Sequence, residues 1–115
     1  MKQLEMHEYL VGVGEKVTVR LEGLPMDVSR STELDGQPLP PLDEFQFTAT
    51  SKEAPHKLLM YFQPFIHETV SFVVELTGSE GGGFSVPIEL SDGRAQTRFF
   101  RFSVEGPAFR FGVPG

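Results

Sequence analysis

The sequence predicts an all-β domain, an immunoglobulin-like β-sandwich of two antiparallel sheets with about seven to nine short strands. Three observations carry this. Apolar and polar residues alternate through Thr69–Thr77, Phe84–Leu90 and Gln96–Val104, the period of a strand with one buried face. Turn residues punctuate the chain at Gly23-Leu24-Pro25, Asp35-Gly36 and Asp92-Gly93. Pro87 sits inside an otherwise regular strand; proline donates no ladder hydrogen bond, so that strand belongs at a sheet edge.

Taken in order, residues 1–8 are polar and read as a frayed arm or the lead-in to a first strand, and Tyr9–Val13 as a short edge strand. Val17, Val19 and Leu21 alternate with Thr18, Arg20 and Glu22, the clearest strand of the first half. Asp27–Leu34 alternates poorly and reads as a weak strand or ordered loop, ended by the Asp35-Gly36 turn. Gln37–Leu42, with prolines at 38, 40 and 41, is an extended connection; its PxxP spacing lacks the basic neighbour that orients proline-groove ligands. Phe45, Phe47 and Ala49 share one face of the next strand. His56–Phe62 is almost continuously apolar, which suits a central strand covered on both faces; Pro64 closes it too soon for a stable helix.

In the C-terminal block the inward residues are Val70, Phe72, Val74 and Leu76, then Phe84, Val86, Ile88 and Leu90, then Phe100, Phe102 and Val104, with Phe99 left outside. A three-residue loop at Ser91-Asp92-Gly93 pairs the last two strands with their apolar faces together. The glycine-rich stretch 78–83 is then a crossover between sheets. The tail 108–115 is too apolar for idle chain, so it packs back on the body or contacts another chain.

Composition bounds the function. The 115 residues suit a single domain over 1–115, and eleven Phe with no Trp supply its core. The absence of Cys removes disulfides, thiolate metal sites and cysteine nucleophiles. A net charge of −6 repels phosphate backbones and anionic lipid, so nucleic acid is not an expected partner. No apolar run reaches membrane-spanning length, so membrane insertion is not expected either. With Met1 as the native start the chain is cytoplasmic; excised from a larger exported chain it is extracytoplasmic.

Chemistry-bearing motifs are scarce. His7, His56 and His67 lack the spacing that puts two metal ligands on one face, apart from the Glu5/His7 alternation. Acidic residues do not follow the calcium-loop pattern, and Gly81-Gly82-Gly83 precedes a strand rather than the helix a phosphate loop requires. No catalytic, cofactor or metal residue is assigned. Enzymatic function would need His56 or His67 to meet a carboxylate across strands in a pocket.

The expected function is therefore a non-catalytic interaction or structural module, alone or within a larger protein, with a protein partner or self-association. The candidate interaction surface is Arg98, Phe99, Arg101, Phe109, Arg110 and Phe111, where arginine and aromatic residues interleave. Deleting residues 108–115 is expected to weaken such contacts. The alternative is a sandwich that binds a small ligand, carbohydrate or lipid, although the chain has no Trp and only Tyr9 and Tyr61 as sugar platforms.

Overall fold

The computed structural model describes residues 4–50, 54–65, 67–105 and 111–113. Nine strands form, with no helix among the described residues: β1 (Leu4–Gly12), β2 (Lys16–Glu22), β3 (Val28–Leu34), β4 (Gln37–Leu39), β5 (Glu44–Thr48), β6 (His56–Pro64), β7 (Val70–Gly78), β8 (Gly83–Leu90) and β9 (Gln96–Glu105). They make a five-stranded sheet in the order β1-β9-β6-β3-β4 and a four-stranded sheet in the order β5-β2-β7-β8. The two pack face to face as a β-sandwich. Phe62 of β6 meets Phe72 of β7 with ring centroids 4.8 Å apart, and Phe47 of β5 meets Phe102 of β9 at 5.2 Å. Both pairs are edge-to-face, the arrangement that aromatic quadrupoles favour.

The strands lie close to where alternation places them; their pairing departs from the sequence expectation. β8 does not pair with β9. It forms an antiparallel hairpin with β7 in the register Val70↔Leu90, Phe72↔Ile88, Val74↔Val86 and Leu76↔Phe84, which keeps these eight apolar residues on one face and leaves Val73 and Pro87 paired on the other. The glycine stretch is thus the hairpin turn rather than a crossover. Gly81 and Gly82 have φ of 98° and 89°, a region closed to most side chains, and the Gly78 N–H donates to Gly82 O at 3.1 Å. The crossover falls instead at residues 91–95. Asp92 and Gly93 turn the chain with φ of 55° and 73°, and β9 then inserts between β1 and β6 of the other sheet. Pro87 does occupy an edge strand, with β7 as its strand's single neighbour.

β1 is the second departure. It begins at Leu4, so residues 4–8 are the lead-in to the first strand rather than a frayed arm, and it runs parallel to β9 with Tyr9↔Phe102 and Val11↔Val104. Among the described residues this is the one parallel pair; the other pairs are antiparallel. The ambiguous 27–34 segment resolves as strand β3 and turns at Asp35-Gly36, with φ of 53° and 82°, into β4. The proline connection is held by Arg30, whose Nη2 donates to Pro41 O at 2.7 Å and pairs with Asp43 Oδ1 at 2.7 Å.

β6 is central in its sheet, but only one of its faces is fully covered. Leu58, Met60 and Phe62 are buried, whereas Lys57 and Tyr61 are exposed and Leu59 is half-buried. The described part of the tail packs back on the body: Leu10 and Gly112 exchange both backbone hydrogen bonds, at 2.7 and 2.9 Å. Phe111 inserts among Tyr9, Phe84 and Phe102, with centroids 5.6, 5.3 and 6.2 Å away.

Candidate functional site

Alternation along β9 divides the sequence-derived candidates. Arg98 has the parity of Phe100 and Phe102, so it points inward and is only 6% exposed. Phe111 is also buried, as part of the core. Neither belongs to an accessible surface, which corrects the expectation for both. Phe99 and Arg101 point outward, Phe99 half-buried and Arg101 exposed. Phe109 and Arg110 lie outside the described residues.

The register assembles neighbours around Phe99 that the sequence alone could not place. Across three adjacent strands, Met6 of β1 lies opposite Phe99 of β9, which lies opposite Leu59 of β6. Met6 is 55% exposed, and Tyr61, one outward position along β6, is 42% exposed. The next row holds Glu8, Arg101 and Lys57. Arg101 and Lys57 are directly opposed like charges, and among the described residues neither side chain makes an ion pair. The outer face of the five-stranded sheet therefore carries an apolar row beside two cations. In the sequence Met6 is masked by the polar residues around it, and Leu59 and Tyr61 by the nearly continuous apolar run of β6.

The histidine–carboxylate pair that catalysis would require is present in one place. Asp35, at the β3–β4 turn, accepts at Oδ2 from His56 Nδ1 at 2.7 Å and at Oδ1 from the Lys57 N–H at 2.8 Å. The pair borders a surface recess of about 540 Å³. The Thr50 N–H donates to His56 Nε2 at 3.2 Å. Nε2 must then carry the lone pair and Nδ1 the proton. A general base needs that lone pair free to take a proton from its reaction partner, and here a backbone amide occupies it. The arrangement clasps the β3–β4 turn and the β5–β6 connection to the start of β6. His67 is exposed, and among the described residues no carboxylate is bonded to it.

Among the described residues no three His, Asp or Glu side chains gather as metal ligands, and no helix is long and apolar enough to cross a membrane. Comparison with protein-family models, with curated proteins and with solved structures finds no match to this chain.

Proposed function

We propose that this domain is a non-catalytic interaction module, immunoglobulin-like in the loose sense of two packed sheets. It engages a protein partner through the outer face of its five-stranded sheet. One observation carries the reading: the row Met6–Phe99–Leu59, exposed at Met6 and half-buried at Phe99 and Leu59, lies beside the opposed cations Arg101 and Lys57, with Glu8 on the far side of Arg101. Folding gains nothing from the part of the row left in water or from the opposition of Arg101 and Lys57. Apolar surface left in water contributes no burial energy, and like charges directly opposite across strands repel. A partner that sets a carboxylate between the two cations and an apolar side chain over Phe99 relieves both. The complementary partner is therefore an acidic surface with an apolar anchor. The occupied His56 Nε2 supports the non-catalytic part of the reading.

The test is a photoreactive phenylalanine analogue placed at position 99 in the source cells, with the same analogue at Ser85, outward on the other sheet, as control. A defined crosslinked partner is expected from position 99 and not from 85, and Lys57→Glu should remove it. Equal yields from the two faces would overturn the reading, and a product of twice the chain's mass would make the partner a second copy. Lys57→Glu should meanwhile raise stability by about 0.5 kcal/mol, since it turns an opposed like-charge pair into an attractive one. A urea titration reads that change.

A further inference from the structure

The edge strands of the two sheets are β1, β4, β5 and β8, and all but β5 are blunted. β1 is closed at Leu10, which exchanges both backbone hydrogen bonds with Gly112 of the tail. β8 carries Pro87, which has no N–H, and its Glu89 carbonyl already accepts from Gln96 Nε2 at 2.7 Å. β4 is three residues long with Pro38 at its centre. Prolines, short strands and covering chain are the devices that keep sheet edges from pairing. β5, Glu-Phe-Gln-Phe-Thr, has none of them.

The ladder to β2 decides which groups of that edge are open. The Leu21 N–H donates to Asp43 O at 2.7 Å and the Ala49 N–H to Glu15 O at 2.8 Å, both in line with the register Lys16↔Thr48 and Arg20↔Glu44. These two bonds fix the parity. Phe45 and Phe47 turn their backbone groups toward β2, and Glu44, Gln46 and Thr48 turn theirs away. Among the described residues nothing bonds the backbone N–H or C=O of these three. Their side chains are exposed on the outer face, while Phe45 points toward the core and stays half-buried, with no strand beyond β5 to cover its flank.

The pattern is complementary to itself. Antiparallel pairing with β5 of a second copy, centred on Gln46, sets Glu44 opposite Thr48, Gln46 opposite Gln46 and Thr48 opposite Glu44. Each pair exchanges both hydrogen bonds, because all three residues point outward. Centring on Glu44 instead would oppose two carboxylates. On the core side Phe45 comes beside the second copy's Phe47 at the close, non-hydrogen-bonded spacing, an aromatic pair that covers the open flank.

We propose that β5 is a homodimerisation edge: two copies join antiparallel through it about a twofold axis at Gln46, making one continuous sheet from the two four-stranded ones. Phe99 and its neighbours lie on the other sheet, so this contact is independent of the outer face.

The experiment is sedimentation velocity of the whole chain. Between about 5 and 500 μM it should show a monomer–dimer equilibrium, as a small interface gives. Gln46→Pro removes the central donor and leaves the ladder to β2 intact, since that N–H points away from it; this variant should keep its β-sheet circular dichroism and sediment as a monomer throughout. Because Gln46 meets its own copy, Gln46→Glu and Gln46→Lys should each dimerise more weakly than the wild type. Their equimolar mixture should dimerise about 2- to 30-fold more tightly than either alone, as like charges across the axis become opposite ones. Lys57→Glu, on the other sheet, should leave the equilibrium unchanged. A wild type monomeric at the highest concentration, a dimer that survives Gln46→Pro or is lost in Lys57→Glu, or a mixture no tighter than its components would each overturn the proposal.

Discussion

The carboxylate of Glu15 fills the space a side chain on residue 78 would need: a Cβ there would collide with Oε2 and lie 2.9 Å from Cδ. Gly78 is thus what admits the buried acid. Glu15, only 1% exposed, accepts from the Gly12 N–H at 3.0 Å and from the Glu80 N–H at 3.4 Å, which ties the β1–β2 turn to the β7–β8 hairpin loop. Its backbone joins the same knot, with O accepting from Ala49 N–H at 2.8 Å.

A direct consequence is energetic coupling between the two positions. Gly78→Ala should cost about 2 kcal/mol, the range for forced repacking of a buried group. Glu15→Ala should cost about 1–3 kcal/mol, because the buried Gly12 amide and the part-buried Glu80 amide lose their acceptor. In the double variant much of the Gly78→Ala penalty should vanish, since the atom it collides with has gone. Urea unfolding of the four proteins checks this, and strict additivity would show that the two residues do not meet as described.

The same knot shows where sequence reading stops. Glu15 looks like one more surface acid before a strand, and no sequence pattern marks it as buried; its environment is completed by residues more than sixty positions away. Strand positions were legible because alternation is a local property that one buried face imposes. Pairing was less so. The register rule satisfied by Val74↔Val86 would also have been met had β8 paired with β9, so the glycine loop and the Asp92-Gly93 turn could exchange roles without violating any pattern. The outer-face site was half visible: Phe99 and Arg101 stand out on one strand, but Met6, Leu59 and Tyr61 join them only through the order β1-β9-β6. Arg98 was assigned to the surface on residue type, against its parity with Phe100.

Burial raises the Tyr9 phenol above its ordinary pKa of 10.0 by desolvating the phenolate. The folded state then holds its proton to higher pH than the unfolded chain does. Stability from this group is fully present below about pH 10 and falls as the pH rises through that value toward the folded one. Other groups titrate in the same interval, so the measurement is a comparison: the wild type should lose more stability above pH 10 than Tyr9→Phe, which keeps the ring contacts with Phe84 and Phe102. Parallel curves for the two proteins would mean that the phenol is not desolvated on folding.

Phe111 closes the β1–β8 seam from a segment whose sequence favours packing back on the body over contact with another chain. Its ring is 6% exposed and meets three aromatic residues drawn from β1, β8 and β9. Phe111→Ala should therefore cost about 3–5 kcal/mol through lost transfer energy and the cavity left behind, with Phe111→Leu nearer 1 kcal/mol. At roughly 4 °C per kcal/mol for a domain of this size, the alanine variant should melt about 12–20 °C lower. The Leu10 amide, bonded to Gly112 O at 2.7 Å, should exchange with solvent far faster once residues 106–115 are removed. An unchanged melting point in Phe111→Ala would place the ring outside the core. Weaker partner binding on deletion of the tail would be interpretable only after this stability loss is matched by a variant destabilised elsewhere, such as Gly78→Ala.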